Sequence, residues 1–155
     1  IFCEKHGDEY KLVLVGKDSY FYNNIQYPIS NIQSVIHLNN VFDDELVSLY
    51  QNARLFVFPS LYEGFGLPPL EAMSYGVPVV SSNRACMPEV LGEAALYFDP
   101  ENYEQIANAI YRGLTDGDVR FELKNKASEL LKTYSWEKLA RETVGVYKSE
   151  TRGGR

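Results

Sequence analysis

The chain has little cysteine, little histidine and, over most of its length, little positive charge. Two cysteines, Cys3 and Cys86, are too few for a disulfide framework and read as free thiols of a reducing, cytoplasmic compartment. Cys86, in Ala85-Cys-Met-Pro, is expected to be buried near a helix start. His6 and His37 stand alone, so no metal cluster is visible and each reads as structural. No stretch approaches the roughly 18 apolar residues of a membrane span, and nothing here is expected to cross a bilayer. Residues 1–100 carry five basic and twelve acidic side chains, net −7, whereas residues 101–155 carry ten and nine, net +1. That balance excludes nucleic acid as a partner, for want of a basic patch. It also makes the front portion a poor match for phosphate unless helix ends or the cations Lys17 and Arg84 assist.

The 155 residues are 45% apolar, enough for one domain with a real core. Short apolar runs at 11–15, 35–38, 55–60, 77–80 and 94–98 read as strands, separated by helical patterns. A helix over 43–52 has an Asp cap and apolar Leu46, Leu49 and Tyr50, and others follow at 68–75 and 88–91. After Asp99-Pro100 the period is wholly helical. The expected inner faces are Ile106, Ala109, Ile110 and Leu114 over 102–114, and Phe121, Leu123, Leu130 and Leu131 over 118–133. A last helix, 135–148, opens with a Ser cap and is expected to bury Trp136, Leu139 and Tyr147; 151–155 reads as a frayed tail. Segment 17–31 is a long loop whose Tyr20, Phe21, Tyr22 and Tyr27 either cover the core or stack on a base. Alternating strands and helices imply an α/β, Rossmann-like fold with a parallel sheet flanked by helices. In such sheets ligands bind where strands end, and Gly16, Val41, Glu63 and Ser81 all fall near such ends.

The densest chemistry lies in Glu63-Gly-Phe-Gly-Leu-Pro-Pro-Leu-Glu71, between a strand and a helix. Gly64 and Gly66 lack Cβ, so the loop can take φ > 0 and bring its amides against a ligand. Pro68 and Pro69 suit a first helical turn, where a missing N–H costs nothing. The dipole and open amides of that turn favour an anion such as a diphosphate. Glu71, about one turn in, can accept two hydrogen bonds from a vicinal diol such as a ribose, while Glu63 can face a hexose. Taken singly, either glutamate is as well read as a solvated residue and the GxG as a turn; their combination points to a sugar-nucleotide site.

The stretch 55–80, together with Lys11-Leu-Val-Leu-Val-Gly16, Asp43-Asp-Glu-Leu-Val-Ser-Leu-Tyr50, Pro88-Glu-Val90, Phe98-Asp-Pro100 and Tyr134-Ser-Trp136, resembles the group 1 glycosyltransferases. These are retaining enzymes of the two-domain B-type fold, and the likeness runs over nearly all of residues 10–148. It implies that residues 1–150 form the C-terminal, donor-binding domain, whose first strand and most of whose first helix, with an Arg and a Lys for the diphosphate, would lie outside this chain. The acceptor-binding domain would lie outside it as well. It further implies that Glu71 holds the ribose and that Glu63 lies beside the donor sugar as the catalytic carboxylate. Amides of Phe65, Gly66 and Leu67 would approach sugar and diphosphate, Gly64, Gly16 and Lys17 would belong to the donor-binding set, and Val41 and Phe42 would be near the base. The donor would be a UDP- or GDP-sugar, with no metal or other cofactor and no transmembrane segment; peripheral membrane association of the parent stays open. Two rivals remain: a non-catalytic nucleotide-binding module, and a sugar-nucleotide epimerase on the same fold.

Overall fold

The computed structural model describes residues 2, 7, 9–16 and 34–152; the aromatic segment, Lys17, Cys3 and His6 lie outside the described residues. Strand β1 (Leu12–Val15) pairs in parallel with β2 (Val35–Leu38), Leu12 opposite Val35 and Val15 opposite Leu38. Strands β3 (Phe56–Phe58), β4 (Val79–Ser82) and β5 (Ala95–Phe98) form a second parallel ladder in that order. All pairing is parallel, as expected for strands joined through helices. No ladder joins the two sheets among the described residues.

Helices α1 (Asp43–Asn52), α2 (Leu67–Ser74) and α3 (Met87–Leu91) alternate with the strands, and a 3-10 turn (Gly92–Ala94) leads into β5. Helices α4 (Tyr103–Thr115), α5 (Gly117–Leu131) and α6 (Trp136–Arg152) follow β5. The middle strand, β4, is buried along its whole length, as befits a strand covered on both faces. Its successive side chains point to opposite sides. Val79 joins a cluster with Leu70, Met73, Met87 and Leu91 from α2 and α3, whereas Val80 joins Phe98 and Ala109 of α4. The sheet therefore sits between helices on either face. Gly113 lets α4 come close, because a Cβ there would lie 2.7 Å from Leu55 Cδ1 and 3.2 Å from Val80 Cγ1.

Several local expectations are corrected. Asp43 is not the cap of α1: Phe42 is, and Glu45 Oε2 reaches back to accept from its amide at 2.9 Å. Asp43 and Asp44 instead occupy the first turn, where the helix dipole favours them. Phe121 is 69% exposed rather than on the inner face of α5. Leu123 and Ala127, four positions apart, define that face, and a residue two positions from Leu123 points elsewhere. In α6, Trp136 is 75% exposed, and Leu139 and Tyr147 are exposed too. The amphipathic stripe is real, but no element packs along it among the described residues. Cys86 is half-buried at the start of α3 rather than enclosed.

One buried and one half-buried phenol tie the packing to pH. Tyr97 Oη donates to Gly92 O at 2.6 Å, and burial pushes its pKa from 10.0 up to about 12. Tyr50 is likewise raised to about 12, by burial first and then by the charge of Glu71. In both, folding favours the neutral phenol. Their stabilisation is therefore complete below pH 10.0 and is lost as pH rises towards about 12. Urea midpoints followed from pH 8 to about 12 should be level at first and then fall, with Tyr97→Phe flattening the fall. A midpoint that declines equally in that variant and in a Tyr50→Phe variant would assign the alkaline limb to other groups.

Candidate functional site

The site is assembled where β3 gives way to α2. Beyond Phe58 the chain turns through Pro59 and Ser60, and both ends of the loop are held by neighbours. Ser60 Oγ donates to Glu63 Oε1 at 2.8 Å, fixing a half-buried carboxylate. Ser82, wholly buried at the end of β4, donates its hydroxyl to Ser60 O at 2.5 Å and so sets the strand exit that aims Ser60. Cys86 Sγ lies 3.4 Å from Glu63 O and donates to it. Glu63 Oε2 makes no hydrogen bond within the described residues.

At the far end of the loop, Gly66 caps α2 with φ 82° and ψ 61°, the left-handed conformation glycine adopts at no steric cost. It is also tightly enclosed: a Cβ here would overlap Met87 Cε and lie 3.0 Å from Met87 Sδ. Pro68 and Pro69 occupy the second and third positions of α2 and bring no amide hydrogens. The donors this helix start can offer are thus few, chiefly the amides of Gly66 and Leu67. Gly64, Phe65 and Leu67 are exposed. Phe65 meets the ring of Tyr134 edge-on, centroids 5.7 Å apart at 88°, and Tyr134 Oη donates to Val90 O at 2.9 Å. The aromatic after α5 thereby braces the loop.

Glu71 faces outward from α2, and Tyr50 of α1 donates to its Oε2 at 3.1 Å. Ser74 Oγ donates to Glu71 O at 2.7 Å. The two glutamates are each held by a different partner, which is what distinct tasks would require.

Other expected site residues stand apart from this group. Gly16 follows β1, donates to Leu38 O at 3.2 Å and accepts from His37 Nε2 at 3.1 Å. Val41 and Phe42 lie between β2 and α1, Val41 half-buried and Phe42 72% exposed. Among the described residues no hydrogen bond or ring contact joins these three to the 63–71 loop. Lys17 lies outside the described residues. Arg84 is already engaged: Nη2 meets Asp99 Oδ1 at 3.0 Å and Glu101 Oε2 at 3.1 Å. Such exposed pairs contribute about 0–1 kcal/mol each, so the guanidinium is occupied but not locked. No group of three or more His, Cys, Asp or Glu side chains gathers to hold a metal among the described residues, and none of their helices is long and apolar enough to cross a membrane.

Sequence reasoning missed Tyr50, Ser82 and the Phe65–Tyr134 contact as parts of the site. Their partners are 21, 22 and 69 positions away, and no local pattern announces them. Ser60 was within reach, since Ser-x-x-Glu at a strand exit is a short-range spacing that brings hydroxyl and carboxylate together.

Parallel strands between helices, with a carboxylate-flanked glycine loop at a strand end, define a doubly wound α/β domain with its candidate functional edge at the loop. The sequence pattern described as "Glycosyl transferases group 1" matches residues 1–130, and the chain belongs to that family. It is 46% identical over 112 residues to the O-antigen chain mannosyltransferase B of Escherichia coli, covering 72% of this chain and 29% of that protein. It is 34% identical over 121 residues to the MMP alpha-(1->4)-mannosyltransferase of Mycolicibacterium hassiacum, covering 75% and 29%. Among solved structures, a sucrose-phosphate synthase from Thermosynechococcus elongatus matches with a TM-score of 0.77 and 25% identity over 93% of this chain and 39% of that one. A UDP-forming alpha,alpha-trehalose-phosphate synthase from Burkholderia vietnamiensis matches with a TM-score of 0.85 over 98% and 39%; at 16% identity it speaks for the fold alone. The chain thus has the α/β fold of one part of the B-type glycosyltransferases and spans 29% of the length of each mannosyltransferase quoted.

Proposed function

We propose that this chain is the donor-binding part of a retaining glycosyltransferase that moves a hexose from a nucleoside diphosphate sugar to an acceptor hydroxyl. The observation that carries the reading is the separate fixing of two carboxylates on either side of one glycine loop: Glu63 by Ser60 and Glu71 by Tyr50. A nucleotide sugar presents two diols, one on ribose and one on hexose, and two differently held carboxylates suit them. The names of the relatives favour mannose as the hexose and a polysaccharide such as O-antigen as the product. The donor would carry uridine or guanosine diphosphate, and the acceptor would be held by a further part of the enzyme. In this reading the protein works in the cytoplasm.

The chemistry would break the bond between the anomeric carbon and the diphosphate oxygen and form a glycosidic bond on the same face. Charge grows on the departing diphosphate and on the ring. Loop amides at Phe65, Gly66 and Leu67, with the α2 dipole, would stabilise the first without a bound metal; such preorganised donors are worth several kcal/mol in a transition state. Glu63 would orient the hexose hydroxyls and offset the positive charge of the ring. Gly16 and Lys17 would lie towards the diphosphate, and Val41 and Phe42 towards the base.

Ligand-observed NMR of the chain with UDP, GDP and ADP tests the reading, one nucleotide being selected over the others. Assays of the complete enzyme then separate transfer from the rivals: an epimerase alters the donor sugar without acceptor, and a passive module returns it unchanged. Glu63→Ala should lower kcat roughly 100-fold or more while donor KM moves about threefold or less, since its contact is made chiefly to the reacting sugar. A rise in KM as large as that caused by Glu71→Ala would refute the division of labour.

A further inference from the structure

Among the described residues, three tyrosine hydroxyls donate to partners elsewhere in the fold, and they do not spend them alike. Tyr97 donates to the backbone carbonyl of Gly92 and Tyr134 to that of Val90, so each ties its ring to the main chain. Tyr50 donates instead to a side-chain carboxylate on another helix, 21 positions ahead: Oη to Glu71 Oε2 at 3.1 Å. The donor is rigid. Only 7% of Tyr50 is exposed, and its ring lies parallel to Tyr75 at 5.6 Å and tilted against Phe56 at 5.8 Å. The acceptor is exposed, on a flexible side chain, and would wander without a fixed partner.

We propose that Tyr50 is a positioning residue: it holds the Glu71 carboxylate in the orientation that accepts both ribose hydroxyls, and so sets the preference for ribonucleotides over 2′-deoxyribonucleotides. The inference rests on the reading of Glu71 as the ribose carboxylate and adds the residue that makes it selective. A carboxylate has about four acceptor sites, so a single bond from Tyr50 to Oε2 leaves Oε1 and a second lone pair of Oε2 for a vicinal diol. A freely rotating carboxylate meets one hydroxyl nearly as often as two, and discriminates poorly against a sugar that has only one. Tyr50 also remains a proton donor throughout the neutral range, burial and the charge of Glu71 having raised its pKa to about 12. The stacking on Tyr75, at the end of α2, ties the same ring to the helix that carries Glu71.

The test is a comparison of UDP and GDP with their 2′-deoxy forms, titrated into the chain and its Tyr50→Phe variant, with thermal midpoints recorded in parallel. Phenylalanine keeps the ring packing and deletes only the hydroxyl. The expected result is a preference for ribose of roughly tenfold or more in the unaltered chain, as for one charge-assisted hydrogen bond. That preference should shrink to about twofold in the variant, the deoxynucleotide affinity being unmoved. In a Glu71→Gln background, Tyr50→Phe should cause no further loss of ribose preference, which separates the role from any general loosening of the fold. A preference that persists in Tyr50→Phe while only the midpoint falls overturns the positioning role and leaves Glu71 as the ribose carboxylate. An unaltered chain that binds ribo- and deoxynucleotides alike, or binds neither, overturns the reading of Glu71 and the role of Tyr50 with it.

Discussion

Glu71→Ala is expected to weaken nucleotide binding by roughly 100-fold or more, the combined loss of two hydrogen bonds to a charged acceptor. The size follows from how little else near the loop can hold a donor. The N-terminus of α2 is short of amides because Pro68 and Pro69 follow Leu67. Its dipole adds about 0.3–1 kcal/mol for an exposed anion. Arg84 is engaged by Asp99 and Glu101. In the proposed function Glu71 is the ribose carboxylate, and its loss should therefore remove a large share of the binding. Alanine also strands the Tyr50 hydroxyl, which is nearly enclosed, at a cost of about 1–3 kcal/mol in stability. Glu71→Gln keeps an acceptor for that hydroxyl and separates the two effects: binding should still fall by about tenfold while the thermal midpoint holds. Saturation-transfer NMR with UDP and GDP reads the affinity, and an alanine variant that binds like the parent would remove ribose from the account of this carboxylate.

The second large effect is expected at Gly66. Gly66→Ala meets two separate obstacles. At φ 82° an L residue costs about 1–2 kcal/mol over glycine. The new methyl would also overlap Met87 Cε, the tip of a wholly buried side chain that would have to turn aside. Overpacking of this kind typically costs about 1–3 kcal/mol. The sum, about 2–5 kcal/mol, should lower the thermal midpoint by roughly 5–15 °C in a chain of this size. Relief by a second substitution is the sharper check. Met87→Ala opens the space that the methyl needs, so the double variant should lose less than the two single changes added together. Strict additivity would show that backbone strain alone is responsible. Gly64 has open space around it and no positive φ, so Gly64→Ala should be nearly neutral for stability.

Both effects arise in a segment that is legible in the sequence. Two glutamates, two glycines and two prolines in nine residues, between an apolar strand and a helix, mark the candidate site and place the start of α2 to within one residue. The order of strands and helices was legible for the same reason, because apolar periodicity is a local property and needs no partner to be seen. Asp43–Asn52 coincides with the expected helix at both ends, whereas β4 runs two residues further than its apolar run. Ser81 and Ser82 lie beyond that apolar run, yet they continue the strand and are fully buried. The hydroxyls are satisfied by the backbone of Ser60 and of Ser82 itself, a compensation that a one-dimensional reading has no means of finding.

The failures share a cause. Phe121, Trp136, Leu139 and Tyr147 were expected inside because they are apolar and at helical spacing. Amphipathicity announces a face that can be buried, and only a neighbouring element decides whether it is. For α5 the neighbouring face is claimed by Leu123 and Ala127, and along α6 no described element packs. Sequence by itself determined the family, the alternation of strand and helix and the two carboxylates, each of which is announced by short runs of neighbouring residues. The tertiary structure decided which serine and which tyrosine hold those carboxylates, that Arg84 is already engaged, and that Met87 closes over Gly66. Those facts depend on side chains from different elements meeting in space, and the distance between such elements along the chain carries no trace of their meeting.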